Sequence, residues 1–237
     1  MTLKELPLKN KIFGIGLSRT GTTSLAKALS LLGYKALHFP DDKITQKEFY
    51  GFFTSQSEFV SLSILKDYDA ITDTPVCCLY KALDRSYPGS RFILTVRDKE
   101  SWLRSCRSFW EEVVDFNYHK QPNNKLNKYI RFIHERLYGT HDYEPEAFSR
   151  AYDIYMSEVI EYFRDRPHNF LVLDICGGEG WSKLAPFFDA AIPGASFPFE
   201  NPSSKNRDHR FVMVQLQSRP DRPDEKPIRG KKGIFSP

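Results

Sequence analysis

The stretch KIFGIGLSRTGTTSLAKALSLLG, residues 11–33, contains a short apolar β-type run, a break at Ser18 and a restart at Thr23 with helical spacing. Leu25, Ala26, Leu29 and Leu32 form the apolar stripe of an amphipathic helix, and Gly33 fits its C-cap. The order is therefore strand, tight loop, helix. Gly14, Gly16 and Gly21 permit tight backbone turns. The amides of Thr20 to Thr23 would point into the loop, and the helix dipole adds partial positive charge, which together make an anion cradle. A glycine-bearing turn with a capping Thr is the plainer alternative.

Outward from this unit the chain keeps alternating. A second strand is predicted at Tyr34 to His38, a third at Tyr68 to Thr72 with Asp73 at its end, and a fourth at Arg91 to Val96 with Arg97 at its end. A helix is expected over Val76 to Ser86, and an almost wholly helical region over Lys99 to Arg166. A fifth strand follows at Phe170 to Ile175, then a helix around Trp181 to Phe188. In the segment Pro145 to Arg166, Phe148, Tyr152, Tyr155, Val159 and Tyr162 recur at helical spacing and are expected to pack on the sheet. Strands alternating with helices imply a parallel sheet covered on both faces, with ligands bound beyond the carboxyl ends of the strands. Ser18 to Thr23, His38, Asp73 and Arg97 all fall there.

Composition narrows the class. The 237 residues are 41% hydrophobic and 27% charged, which suits one folded domain, here placed at 1–202. The net charge is +4, yet residues 203–237 alone hold nine Lys/Arg against four Asp/Glu, leaving the rest near −1. A basic, Pro-rich tail on a near-neutral body argues against general nucleic-acid binding. Cys77, Cys78, Cys106 and Cys176 lack metal-site spacing and read as reduced thiols. No apolar run reaches the ~20 residues of a membrane span, and the first ten residues do not resemble a signal peptide, so a cytoplasmic protein is expected.

The loop departs from the nucleotide-hydrolase pattern G-x-x-x-x-G-K-[ST]. Gly16 and Gly21 have the right spacing, but Thr22 stands in place of the Lys, and the only cation in the loop is Arg19. Ser18-Arg19-Thr20-Gly21-Thr22-Thr23 instead resembles the 5′-phosphosulfate loop of the sulfotransferase superfamily. Arg97, followed eight positions later by Ser105, resembles that superfamily's 3′-phosphate signature. The chain is most similar to the bacterial and invertebrate sulfotransferase-like proteins, over about residues 11–201, including Glu179-Gly180-Trp181 and Phe197-Pro198-Phe199.

The resemblance implies a P-loop NTPase-like α/β fold with a helical cover over the acceptor at about 103–166. It also implies 3′-phosphoadenosine 5′-phosphosulfate as donor, with no metal expected. Ser18, Arg19, Thr20, Gly21, Thr22, Thr23, Arg97 and Ser105 would bind the donor. Asp73-Thr74-Pro75 stands where cytosolic members carry a catalytic His, so Asp73 becomes the candidate general base, with helix capping before Pro75 as its alternative. Arg19, with help from His38, would stabilise the departing phosphate, although His38 also suits a structural role. Ser24 replaces an adenine-stacking Trp and Ile71 a second Lys, which leaves the adenine contacts unassigned. Arg229-Gly-Lys-Lys-Gly233 partly matches the Arg-Lys-Gly string that closes the family's 3′-phosphate site, in a different order.

Aromatics from Phe109 to Tyr143, among them Trp110, Phe116, Tyr118, Tyr129, Phe132 and Tyr138, suggest a small apolar or aromatic acceptor. Two other functions share these motifs: a P-loop small-molecule kinase, and a nucleotide-responsive binding module without catalysis. The sequence does not specify the oligomeric state.

Overall fold

The structure, a computed structural model, describes residues 10–114 and 124–200, all within the compact unit Met1–Ser204. The tail expected at 203–237, with its Arg229 to Gly233 run, lies outside the described residues, as do Phe116 and Tyr118 of the cover.

Five strands, β1 (Ile12–Gly14), β2 (Ala36–His38), β3 (Ala70–Thr72), β4 (Arg91–Thr95) and β5 (Phe170–Leu173), form one parallel sheet in the order β2-β3-β1-β4-β5. Among the described residues, seven α-helices flank it: α1 (Thr22–Leu31), α2 (Lys43–Thr54), α3 (Tyr80–Ser86), α4 (Lys99–Phe109), α5 (Lys125–Tyr138), α6 (Pro145–Tyr162) and α7 (Trp181–Phe187). The expected α/β fold with a parallel sheet is therefore present. The expected helix over Val76 to Ser86 is a 3-10 turn at Val76–Leu79 that leads into α3.

The sheet buries both faces because neighbouring residues on a strand point opposite ways. Phe13, Ile71 and Phe92 face the larger core, where α2 to α6 contribute Phe49, Leu83, Trp102, Ile133 and Phe148. Ile12, Ala70, Ile93 and Leu173 face the smaller one, closed by Leu25, Ala28 and Leu29 of α1 and by Leu184 of α7. Leu25 and Leu29 are fully buried, worth about 1.5–3 kcal/mol apiece before chain entropy is counted. This packing fixes where α1 begins and hence where the loop before it points.

Parallel register sets the rim of the sheet. Gly14 pairs with Thr72, and Thr72 with His38, so these three residues end their strands level with one another. Arg97 follows β4 by two residues, next to the loop that leaves β1. Gly14 cannot be replaced without rearrangement, since a Cβ there would come 2.7 Å from Thr72 Cγ2 and 2.9 Å from Leu25 Cδ2.

Candidate active site

The loop between β1 and α1 is held from several sides. Thr20 is fully buried, and its hydroxyl donates to the Leu17 carbonyl at 2.6 Å while lying 2.7 Å from the Thr95 hydroxyl. A Cβ on Gly16 would fall 1.8 Å from Thr95 Oγ1 and 2.7 Å from the Thr95 carbonyl, so only glycine lets loop and β4 approach this closely. Tyr155 of α6 donates to the Ile15 carbonyl at 2.5 Å, and Trp102 Nε1 of α4 donates to the Ser18 carbonyl at 2.9 Å. Gly21 caps α1 at φ 102° with no side-chain hydrogen bond to the helix start. The first-turn amides of α1 therefore keep their capacity for an outside acceptor.

Among the described residues, three of the four non-glycine residues with positive φ follow strands at this rim: Arg19 (74°), Phe39 (51°) and Asp73 (74°). Left-handed backbone is unfavourable for such residues and persists where surrounding contacts over-determine it, a pattern concentrated at functional sites. At Asp73 those contacts include a backbone hydrogen bond to the Gly14 carbonyl at 3.1 Å.

Asp73 and His38 meet across the ends of β3 and β2. His38 Nε2 lies 2.8 Å from Asp73 Oδ2 and 3.2 Å from the hydroxyls of both Thr22 and Thr23. Asp73 is 4% exposed, and its other oxygen accepts from the Thr74 backbone N–H at 2.8 Å. Burial alone would raise its pKa, but the hydrogen bond and charge of His38, the Thr74 amide and the Thr22 hydroxyl together hold it below the usual carboxylate range. The Asp73 carbonyl also accepts from the Val76 and Cys77 amides of the following turn, at 2.8 and 3.3 Å, while its carboxylate lies against His38.

On the other side of the loop, two arginines and two serines interleave. In the structure Arg19 Nε donates to Ser105 Oγ at 3.1 Å and Arg97 Nε to Ser101 Oγ at 3.0 Å. Ser101 and Ser105 are one turn apart on α4, so each guanidinium takes a neighbouring hydroxyl on that face. Arg97 also donates to the Arg19 carbonyl at 3.2 Å, and Arg19 lies over the Phe109 ring at 5.2 Å. Tyr152 donates to the Arg97 carbonyl at 2.5 Å.

The predicted residues thus fall in two adjoining groups. Thr22, Thr23, His38 and Asp73 gather where α1 starts, and Ser18, Arg19, Arg97 and Ser105 gather between the loop and α4. Thr20 faces inward, with its hydroxyl engaged in holding the loop. The sequence reading missed Thr95, Ser101 and Trp102, and it counted Tyr152 and Tyr155 as core. Both tyrosines do pack in the core, while their hydroxyls pin the loop and the Arg97 turn. Their place in the helical stripe reports burial and gives no sign of where a hydroxyl ends.

Among the described residues, no group of three or more His, Cys, Asp or Glu side chains is arranged to hold a metal ion, and no helix is long and apolar enough to cross a membrane. A family model described as a sulfotransferase domain matches residues 11–206. A curated protein of Aspergillus versicolor named Ava biosynthesis cluster protein M is 26% identical over 220 residues, covering 84% of this chain and 84% of that protein.

Proposed function

Because this chain belongs to the sulfotransferase domain family, we propose that it moves a sulfuryl group from 3′-phosphoadenosine 5′-phosphosulfate to a hydroxyl or amine of a small apolar or aromatic acceptor. The observation that carries this reading is the ionised, buried Asp73 beside an uncapped helix N-terminus, with His38 touching both. The donor supplies a sulfuryl group on a phosphate leaving group. Residues with suitable chemistry for its phosphates are present: the first-turn amides of α1, the cation Arg19, and the Arg97, Ser101 and Ser105 group.

Asp73 accepts the acceptor's proton as the acceptor oxygen bonds to sulfur. The bridging S–O bond breaks, and its electron pair leaves with the phosphate. A carboxylate held below its ordinary range is a weak base, so it takes the proton late, once bonding to sulfur has made that proton acidic. His38 positions the carboxylate and shares the charge change with it. Arg19 and the helix dipole meet the negative charge that builds on the leaving oxygen, an electrostatic contribution that depends on groups already in place. A cytoplasmic location fits the four unpaired cysteines.

Adenosine 3′,5′-bisphosphate should raise the melting temperature strongly, whereas ATP with magnesium should not. The reverse order points to the kinase. Binding of the bisphosphate without transfer of radiolabelled sulfate to any alcohol, phenol or amine points to a binding module.

A further inference from the structure

Helix α6 carries two phenols whose hydroxyls end on main-chain carbonyls at the rim. Tyr152 reaches the Arg97 carbonyl, and Tyr155 reaches two carbonyls at once, Ile15 at 2.5 Å and Cys77 at 3.1 Å. A phenol has one hydrogen to give, so Tyr155 shares it in a three-centre bond whose shorter arm goes to Ile15. The two acceptors belong to separate parts of the site. Ile15 stands between Gly14 and Gly16, where β1 opens into the loop, and Cys77 lies in the 3-10 turn that follows Asp73.

Those parts meet again at Asp73. Its amide donates to the Gly14 carbonyl at 3.1 Å, and its own carbonyl accepts from the Cys77 amide at 3.3 Å. The bonds close a ring that runs from the Tyr155 hydroxyl through Ile15 and Gly14 to Asp73, then through Cys77 back to the same hydroxyl. Asp73 sits in left-handed backbone at φ 74°, a conformation that persists only where neighbours over-determine it. The phenol is rigidly mounted. Its ring meets Tyr80 edge-on, with centroids 6.1 Å apart and planes at 88°, and Tyr152, Met156 and Val159 seat α6 in the larger core.

We propose that Tyr155 is a positioning residue whose hydroxyl fixes the turn that carries Asp73 against the β1–α1 loop, and so sets the distance between the proton-accepting carboxylate and a donor bound at that loop. The effect on rate rests on the proposed transfer; the ring of hydrogen bonds does not. A purely structural role makes a different forecast. Loss of the hydroxyl would then cost stability and leave the kcat of the folded protein unchanged.

The test compares the full chain with Tyr155→Phe and with Tyr162→Phe, which removes another α6 hydroxyl, bonded at 2.8 Å to Asp84. Each is assayed for transfer of radiolabelled sulfate, titrated calorimetrically with adenosine 3′,5′-bisphosphate and followed by amide hydrogen exchange. Tyr155→Phe should lower kcat about 10–100-fold and keep bisphosphate affinity within about threefold, because misplacing a reacting group slows the chemical step more than it weakens binding. Its Asp73 and Val76 amides should exchange about tenfold faster relative to those of β4, the yield of one lost hydrogen bond. Tyr162→Phe should show neither change. An unchanged kcat in Tyr155→Phe, an equal loss in Tyr162→Phe, or bisphosphate affinity falling in step with kcat overturns the proposal. If the wild type transfers sulfate to no acceptor, the transfer reading falls, and exchange decides Tyr155: unaltered exchange at Asp73 and Val76 overturns its role. Should Tyr155→Phe fail to fold, the wild type decides, since those two amides should exchange as slowly as those of Phe92 to Leu94, and faster exchange overturns the proposal.

Discussion

The β1–α1 loop and helix α5 treat their polar groups differently. Around the loop, the hydroxyls and carbonyls of Leu17, Ser18, Thr20 and Thr95 bond to one another or to Trp102, and Tyr155 reaches in from α6 to the Ile15 carbonyl. On α5, two phenols and an imidazole are buried without partners. A region with its internal bonds made holds its shape before any ligand arrives, which suits charge stabilisation by groups already in place. A region with bonds left open carries the cost of its unpaired groups in the free protein. Of the two regions, the loop is therefore the preorganised one.

The strongest challenge to that division is Asp73→Asn. Turnover of radiolabelled donor should fall by about 10²–10⁴-fold, the usual yield of a positioned base, while the bisphosphate still raises the melting temperature. Full activity in this variant would return the chemistry to another group. Gly16→Ala comes next, because its new Cβ overlaps Thr95 Oγ1. Urea unfolding should show a loss of about 1–3 kcal/mol, together with weakened bisphosphate binding. A silent Gly16→Ala would mean that the loop is less tightly held than its contacts indicate.

Arg97→Ala should weaken bisphosphate binding by about 10–100-fold in calorimetry, as expected for loss of a charged hydrogen-bond donor. Unchanged binding in this variant would take Arg97 out of the donor site. The smallest effect concerns acid. Asp73 is held below its unfolded value, so its ionised form stabilises the fold above about pH 4 and that contribution disappears as pH falls through the folded value. Acid unfolding should therefore show the stability difference between wild type and Asp73→Asn closing below about pH 4. A difference that persists unchanged into stronger acid would mean that the carboxylate is not held by His38.

Much of the rim was legible because its determinants are local. Glycines two and seven positions apart, an apolar strand before them and a helical stripe after them define the loop without knowledge of distant residues. The side chains that meet across the rim were named individually, and their partners were not. The spacing groups Arg97 with Ser105 around one phosphate, and the fold adds which hydroxyl each guanidinium meets, Ser105 for Arg19 and Ser101 for Arg97. Which hydroxyl a guanidinium takes depends on the rotation of α4 over the strand ends, and packing of Trp102 and Cys106 sets that rotation.

The sequence by itself determined the parallel α/β sheet, the loop at Gly16 to Thr23, and the placement of His38, Asp73 and Arg97 at strand ends. Period and turn chemistry act over a few residues, so they can be read along the chain. Only the tertiary structure decided that Asp73 bonds to His38, that Tyr152 and Tyr155 reach from the core to the rim, and that His134 and Tyr138 are left unpaired. Each of these depends on where residues 35 to 140 positions apart come to rest, which is fixed by how the helices pack on the sheet.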